Sequence, residues 1–343
     1  MTPAEKLQNL LDAPAFKRWF STANFSENGV SFPTQFMANW VHSYFSSQLF
    51  VAFGFEPEIS VYKRPAAPVI KNKDNVIQLD FWEDNKRGCA NSLLRAALFP
   101  PLPRGKRQFL KNVKLESVGA ADIIFTGEQF DQTDLDVYLE ILNFARPFPL
   151  GTPVSFSARA MLKALGKGNG GGLHKWLHSV MIRLRGGTLD ITDKKNRYFG
   201  GLVKEGVLEE ATEFYTIIID TNFAKLFGFG MWSKIDIEER RALKGASSGI
   251  AKALHAYYST HAAPSLHSYE TLSKILGLSS VDRQTKARMI EAHKKLEKIG
   301  FLHNFEAKEN GIRVSKKESR AQRKHLVDKW VEADKKRRKK AAT

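Results

Sequence analysis

The chain has 343 residues, 43% of them hydrophobic, with a formal net charge of +17 and a single cysteine, Cys89. This length holds two or three domains with their own cores, and so large a positive excess points to a polyanionic partner. One cysteine excludes a disulfide framework, and no apolar run of about 18 residues suggests a membrane span. The sequence therefore predicts a cytoplasmic protein with no membrane partner.

Taken in chain order, residues 1–64 read as a compact α/β unit. An amphipathic helix is expected over Pro3–Leu11, a short helix at Pro14–Trp19 and a hairpin at Glu27-Asn28-Gly29. A helix at Ala38–Leu49 and a strand near Ile59–Tyr62 complete it. Asn28-Gly29 is a turn signal because both residues tolerate positive φ. Residues 65–105, rich in proline and polar residues in 64–75 and again irregular at Phe99–Gly105, read as a linker.

The main body carries one layout twice. In residues 106–232, helices at Asp134–Phe144, Ala158–Leu165 and Gly172–Arg185 alternate with strands at Val154–Phe156, Thr188–Ile191 and Phe214–Ile219. Leu173, Leu177, Val180 and Leu184 form one apolar stripe on the third helix. In residues 233–317, helices at Ser248–Thr260, Tyr269–Leu276 and Asp282–Ile299 precede a small hairpin, Phe301–Phe305 with Ile312–Val314. Helix, helix-turn-helix and β-hairpin in that order describe a winged helix. The expected class is therefore α+β: tandem winged-helix domains behind a small α/β domain, with a basic tail at 318–343.

Charge follows this division. Residues 1–66 hold five basic and five acidic residues, whereas residues 316–343 hold twelve basic and four acidic ones. A neutral first domain suits protein contacts, and the basic remainder suits nucleic acid. The run Lys335–Lys340 fits either phosphate contacts or a solvated tail.

A winged helix reads DNA with the second helix of its helix-turn-helix. On Asp282–Ile299 the buried stripe is Met289, Leu296 and Ile299, which leaves Arg283, Gln284, Ala287, Glu291, Lys294, Lys295 and Lys298 outward, with Lys286 and Arg288 flanking them. Arg283 and Gln284, at the helix start, suit bidentate contacts to guanine and adenine, and the lysines suit phosphates. On Gly172–Arg185 the outward set is Lys175, His178, Ser179 and Ile182, with Arg183 at its edge.

No catalytic constellation, metal site or cofactor site is expected. Gly166–Gly171 matches G-x-G-x-x-G but follows a helix rather than a strand, which makes it a turn; no P-loop occurs; and His174 and His178 lack a third ligand nearby.

Residues Ile123–Leu142 (IIFTGEQFDQTDLDVYLEIL), Lys175–Thr192 and Leu296–Leu302 resemble the TrfA family of plasmid replication initiators over roughly residues 77–315. The resemblance implies binding to repeated origin sites (iterons) in double-stranded DNA, opening of AT-rich duplex, help in recruiting the host helicase, and a monomer–dimer equilibrium. Within it, Gln78, Leu79, Asp80, Phe81 and Trp82 look like the pentapeptide that docks on the replicative sliding clamp, with Phe81 for Leu and Trp82 for Phe. The same residues also read as an apolar segment folded against the first winged helix. Residues 1–64, through Phe16–Phe20, Phe32–Val41, Tyr44 and Ile59–Tyr62, resemble the N-terminal, KH-like domain of DnaA. That implies protein contacts, to the helicase and to host DnaA, with Phe36 at the helicase position; Phe36 and Trp40 are equally compatible with a core. A winged-helix transcriptional regulator is the alternative that needs no such partners.

Overall fold

The computed structural model describes residues 2–21, 23–32, 35–61, 79, 82–103, 105, 107–119, 121–192, 197–222, 232–264, 266–319 and 322–331, without the side chains of residues 14, 17, 18, 35 and 36. It divides into two compact units, Met1–Asn72 and Lys73–Thr343.

In the first unit, helix α1 (Pro3–Leu10) starts in a capping box. The Thr2 hydroxyl accepts from the Glu5 N–H, and the Glu5 carboxylate accepts from the Thr2 N–H. Asp12 caps α2 (Ala13–Phe20) through the Ala15 N–H at 2.6 Å. Strands β1 (Asn24–Phe25) and β2 (Gly29–Phe32) pair antiparallel. Helix α3 (Gln35–Phe53) then carries the chain to β3 (Glu58–Val61), which lies parallel to β2. Leu7, Phe20, Val30, Phe32, Val41 and Leu49 are buried between the helices and the sheet. The element order is the expected one, but the reason for Gly29 is not. Neither Asn28 nor Gly29 has positive φ; a Cβ on Gly29 would lie 2.2 Å from the Glu58 carbonyl oxygen across the parallel pair.

The second unit corrects the linker expectation. From residue 82 onward the segment read as a linker is folded: β4 (Lys86–Ala90) pairs antiparallel with β12 (Trp232–Asp236), and α4 (Asn91–Leu94) follows. Cys89, Leu93, Leu94, Leu98 and Phe99 are buried, and the Phe99 ring stacks on Phe130 at 5.5 Å. Proline and glycine marked irregular backbone here, but the apolar residues among them are core.

Strands β5 (Phe109–Leu115), β6 (Asp122–Glu128), β8 (Thr188–Thr192) and β9 (Arg197–Gly200) form one antiparallel sheet in that order. Helix α5 (Gln132–Ala145), packed against β4, is capped by Asp131 and buries Leu135, Leu139 and Leu142. The first winged helix runs β7 (Val154–Ser157), α6 (Ala158–Ala164), α7 (Gly171–Gly186), then the hairpin β10 (Glu205–Glu209) and β11 (Phe214–Ile218). The sheet order β10-β11-β7 makes β10–β11 the wing. The expected strand at Thr188–Ile191 is present as β8, but it pairs with β6 and β9 and not with the strand Phe214–Ile218, so it is not part of the wing. Leu189 and Ile191 of β8 are buried beside Ile123 and Phe125 of β6 in the other sheet. After β12 come α8 (Ile237–Ala242) and α9 (Ser248–Ser259).

The second winged helix repeats the topology. It runs β13 (Leu266–Ser268), α10 (Tyr269–Leu276), α11 (Arg283–Lys298), β14 (Leu302–Lys308) and β15 (Gly311–Lys316), with sheet order β13-β15-β14. In both copies the strand before the helix-turn-helix pairs with the second strand of the wing and ends on a serine cap. Ser157 accepts from the Ala160 N–H and Ser268 from the Thr271 N–H, each at 3.1 Å. Gly277 turns α10 toward α11 at φ +61, where a side chain would be strained. Ile250, Leu254, Tyr257, Leu272, Met289, Leu296, Ile312 and Val314 share one core.

Candidate nucleic-acid interface

Helix α11 is held by its buried face and presents the opposite one. Met289, Ala292, His293 and Leu296 are buried, while Arg283, Gln284, Ala287, Arg288, Glu291, Lys294 and Lys298 are exposed. Asp282 caps the helix through the Thr285 N–H at 2.7 Å, and hydrogen bonds from Thr285 and from the Ser280 hydroxyl hold its carboxyl below the ordinary range. The start of the helix, with Arg283 and Gln284, is thereby fixed in a defined orientation. The stripe is anchored from below by His293, whose Nδ1 donates to the Met289 carbonyl at 2.7 Å and whose Nε2 accepts from the Tyr258 hydroxyl at 2.9 Å. Burial pushes His293 down to about 4, so it is neutral at physiological pH.

Two expected contacts on α11 are partly engaged elsewhere. The Lys286 ammonium sits 4.9 Å over the Tyr269 ring, and Lys295 donates to the Lys244 carbonyl at 3.2 Å. Each keeps a half-buried position at the margin of the exposed face. The outward charge centre is thus Arg283, Arg288, Lys294 and Lys298, broken by Glu291.

Helix α7 differs. Lys175, His178, Ser179 and Ile182 are exposed, as the stripe Leu177, Val180 and Leu184 requires. Arg183, expected at the edge of the reading face, is buried. Its Nε and Nη2 donate to the two oxygens of Asp134 at 3.1 and 2.8 Å, and its Nη1 donates to Glu128 at 3.4 Å. It ties α7 to α5 and β6 and is unavailable to DNA. Sequence position alone put it at the stripe's margin; the carboxylates that draw it inward lie about fifty residues away along the chain, at |i−j| of 49 and 55. Arg185, two residues further along α7, is exposed.

The wings also contrast. The first carries Glu205, Glu209, Glu210 and Glu213 and no lysine or arginine between residues 205 and 214. The second exposes Lys308 and Arg313. Arg313 was legible as an outward residue, since Ile312 and Val314 on either side of it point inward.

Remaining expectations fall as follows. Gly166–Gly171 is a turn between α6 and α7, as read, with φ +66 at Gly166. His174 is engaged at both ring nitrogens, with Asn169 at 2.8 Å and Glu213 at 2.8 Å, while His178 Nδ1 lies 3.4 Å from the Tyr215 hydroxyl. Among the described residues no group of three His, Cys, Asp or Glu can hold a metal ion, and no helix is long and apolar enough to cross a membrane. Of the clamp-like pentapeptide, Leu79 and Trp82 are 5% and 1% exposed, and the Trp82 indole lies against Gly88 with Arg146 over the ring at 5.7 Å. An extended linker motif would leave both of these side chains free, whereas Leu79 and Trp82 are buried. Gln78, Asp80, Phe81, the Phe36 side chain and Lys335–Lys340 lie outside the described residues. Trp40 is core, stacked on Trp19 at 5.1 Å.

Two winged helices of one topology, one with a basic exposed second helix, define a tandem winged-helix class of chain. Residues 61–317 match the family described as TrfA protein, and the chain belongs to that family. It is 24% identical over 234 residues to the plasmid replication initiator protein TrfA of Escherichia coli, a match that takes in 65% of this chain and 60% of that relative's length. Among solved structures it is similar to the Pi initiator protein in complex with iteron DNA, at TM-score 0.45 and 10% identity over 70% of this chain and all of that one. It is also similar to domains 2 and 3 of RctB, at TM-score 0.40 and 11% identity over 66% of this chain and 97% of that one.

Proposed function

We propose that this chain is a plasmid replication initiator that binds iterons in double-stranded origin DNA and acts by binding and assembly rather than turnover. The observation that carries the reading is the exposed face of α11, with Arg283 and Gln284 at a capped helix start and Lys294 and Lys298 behind them, within a chain of the TrfA family. Arg283 and Gln284 read base edges, the lysines and Arg288 hold phosphates, and Lys175, His178 and Ser179 on α7 make a weaker second contact. Footprinting on DNA flanking the gene tests this. Protected direct repeats are expected; a single inverted repeat would instead make the chain a transcriptional regulator.

The near-neutral first unit, including Phe36, is assigned to the replicative helicase and to host DnaA, and the whole protein to a monomer–dimer equilibrium. The Gln78–Trp82 segment is assigned to the sliding clamp, on the condition that Leu79 and Trp82 leave their buried positions. Clamp capture that is unchanged by Gln78→Ala with Phe81→Ala rejects that assignment.

A further inference from the structure

Between the two winged helices lies a layer bonded to both. Arg240 on α8 is 1% exposed, and its Nε donates to Asp136 on α5. Its Nη1 donates to the Lys252 carbonyl on α9 at 2.9 Å, and its Nη2 donates to the Gln132 carbonyl and amide oxygens at 3.2 and 2.8 Å. Lys252 donates to the other Asp136 oxygen at 2.5 Å. Burial pushes the Asp136 carboxyl up, but the charges of Arg240 and Lys252 outweigh it and hold the group below its ordinary range. Alongside, His255 on α9 bonds Glu239 on α8 at 3.0 Å, and Arg241 reaches the Ala164 carbonyl at the end of α6. At the other end of the layer Arg95 donates to the Thr260 hydroxyl and carbonyl at 2.8 and 2.6 Å, just beyond α9. Leu93, Phe99 and Leu135 meet Ala256, Tyr257 and Leu276 between these bonds.

An apolar seam tolerates sliding, because dispersion and burial are not directional. A half-buried carboxylate shared by a lysine and a fully buried guanidinium does not: any other register strands the Arg240 charge without its partner. The seam between α5 and α9 therefore has one register, and α7 and α11 are carried by those helices.

We propose that the Asp136–Arg240–Lys252 cluster determines DNA specificity without touching DNA. It fixes the separation and rotational phase of α7 and α11, so that the chain selects the spacing between the two half-sites it reads. This rests on α7 and α11 both being DNA readers, as proposed above. Two inserted base pairs move one half-site by about 7 Å and about 70° of helical phase, which a flexible tether absorbs and a fixed frame does not.

The test uses the full chain. Spin labels at Arg185→Cys and Glu297→Cys, exposed ends of α7 and α11, in a Cys89→Ala background report the distance between the helices. Footprinted duplexes with zero, one or two base pairs inserted between the protected halves report the spacing preference. The expected results are one narrow distance distribution and an affinity loss of about tenfold or more for two base pairs. Asp136→Asn should broaden the distribution and reduce that loss to about twofold; Lys252→Met, which leaves Arg240 on Asp136, should fall between and carries the test if Asp136→Asn lacks a cooperative melt. A broad distribution in the unsubstituted chain, or an insertion loss unchanged in the variants, overturns the proposal. Binding with no insertion loss overturns spacing selection alone, whereas a narrow distribution with no binding to any footprinted duplex overturns the DNA reading beneath it.

Discussion

The two winged helices share strand order, serine cap and wing pairing, yet they are built to different electrostatic ends. Helix α11 begins at a carboxylate cap and turns Arg283, Arg288, Lys294 and Lys298 to solvent. Helix α7 begins at Gly170 with no side-chain cap and keeps Arg183 for an internal pair, and its wing is acidic where the other exposes Lys308 and Arg313. One topology thus carries a basic outward helix face in one copy and a weakly charged one in the other. What separates them is where the arginines find carboxylates, which the helix pattern does not encode.

The largest test of that contrast is Arg183→Ala. It removes one of the two guanidinium partners of Asp134, which is fully buried, whose carboxyl burial already pushes upward, and which keeps Arg107 at 2.9 Å. A loss of about 2–4 kcal/mol in denaturant-monitored stability is expected, because Arg183 gives up three charge-assisted bonds while Arg107 still compensates Asp134. A reader of DNA at this position would instead lose binding with stability intact.

Acid should separate the copies next. His293 is held neutral by burial, which pushes it down to about 4 from an ordinary 6.5. Its folded-state value is depressed, so its contribution is complete above about pH 6.5 and declines as pH falls toward 4, by about 3 kcal/mol at most. Urea unfolding at pH 7 and pH 4.5 should show the α11 unit losing stability, and His293→Gln should flatten the slope. His261, pushed by burial to about 4 as well, acts in the same direction with a smaller share because it is more exposed.

On the DNA side, Arg283→Ala should cost about 1–3 kcal/mol and relax preference at one base, as site-variant titrations would register. Lys298→Ala should weaken all sequences alike and reduce the slope of log affinity against log salt by about 0.9. Smallest of all, Lys175→Ala or His178→Ala on α7 should change binding by no more than about 0.5 kcal/mol. A loss on α7 equal to that of Arg283→Ala would erase the distinction between the two readers.

Much of the frame was legible in sequence. The stripes Leu177–Val180–Leu184 and Met289–Leu296 predicted both recognition helices and their outward faces, because burial of one face leaves the opposite one no other place. Asp282 and Ile299, legible in sequence as the ends of α11, are its caps. Less legible was the β6–β8 pairing, which joins segments more than sixty residues apart and displaced β8 from the expected wing. A strand's alternation fixes which face is apolar, not which neighbour it pairs with.

Periodicity, composition and turn chemistry determined that this chain holds two winged helices behind a small α/β unit, and which side of α11 faces outward. Tertiary structure alone decided that residues 86–99 are a core layer rather than a linker, that Arg183 is internal, and that Asp136, Arg240 and Lys252 meet. The physical reason is common to all three: an apolar residue in a proline-rich stretch, or a charged one at a stripe's edge, is exposed or buried according to a partner that only the fold brings within reach.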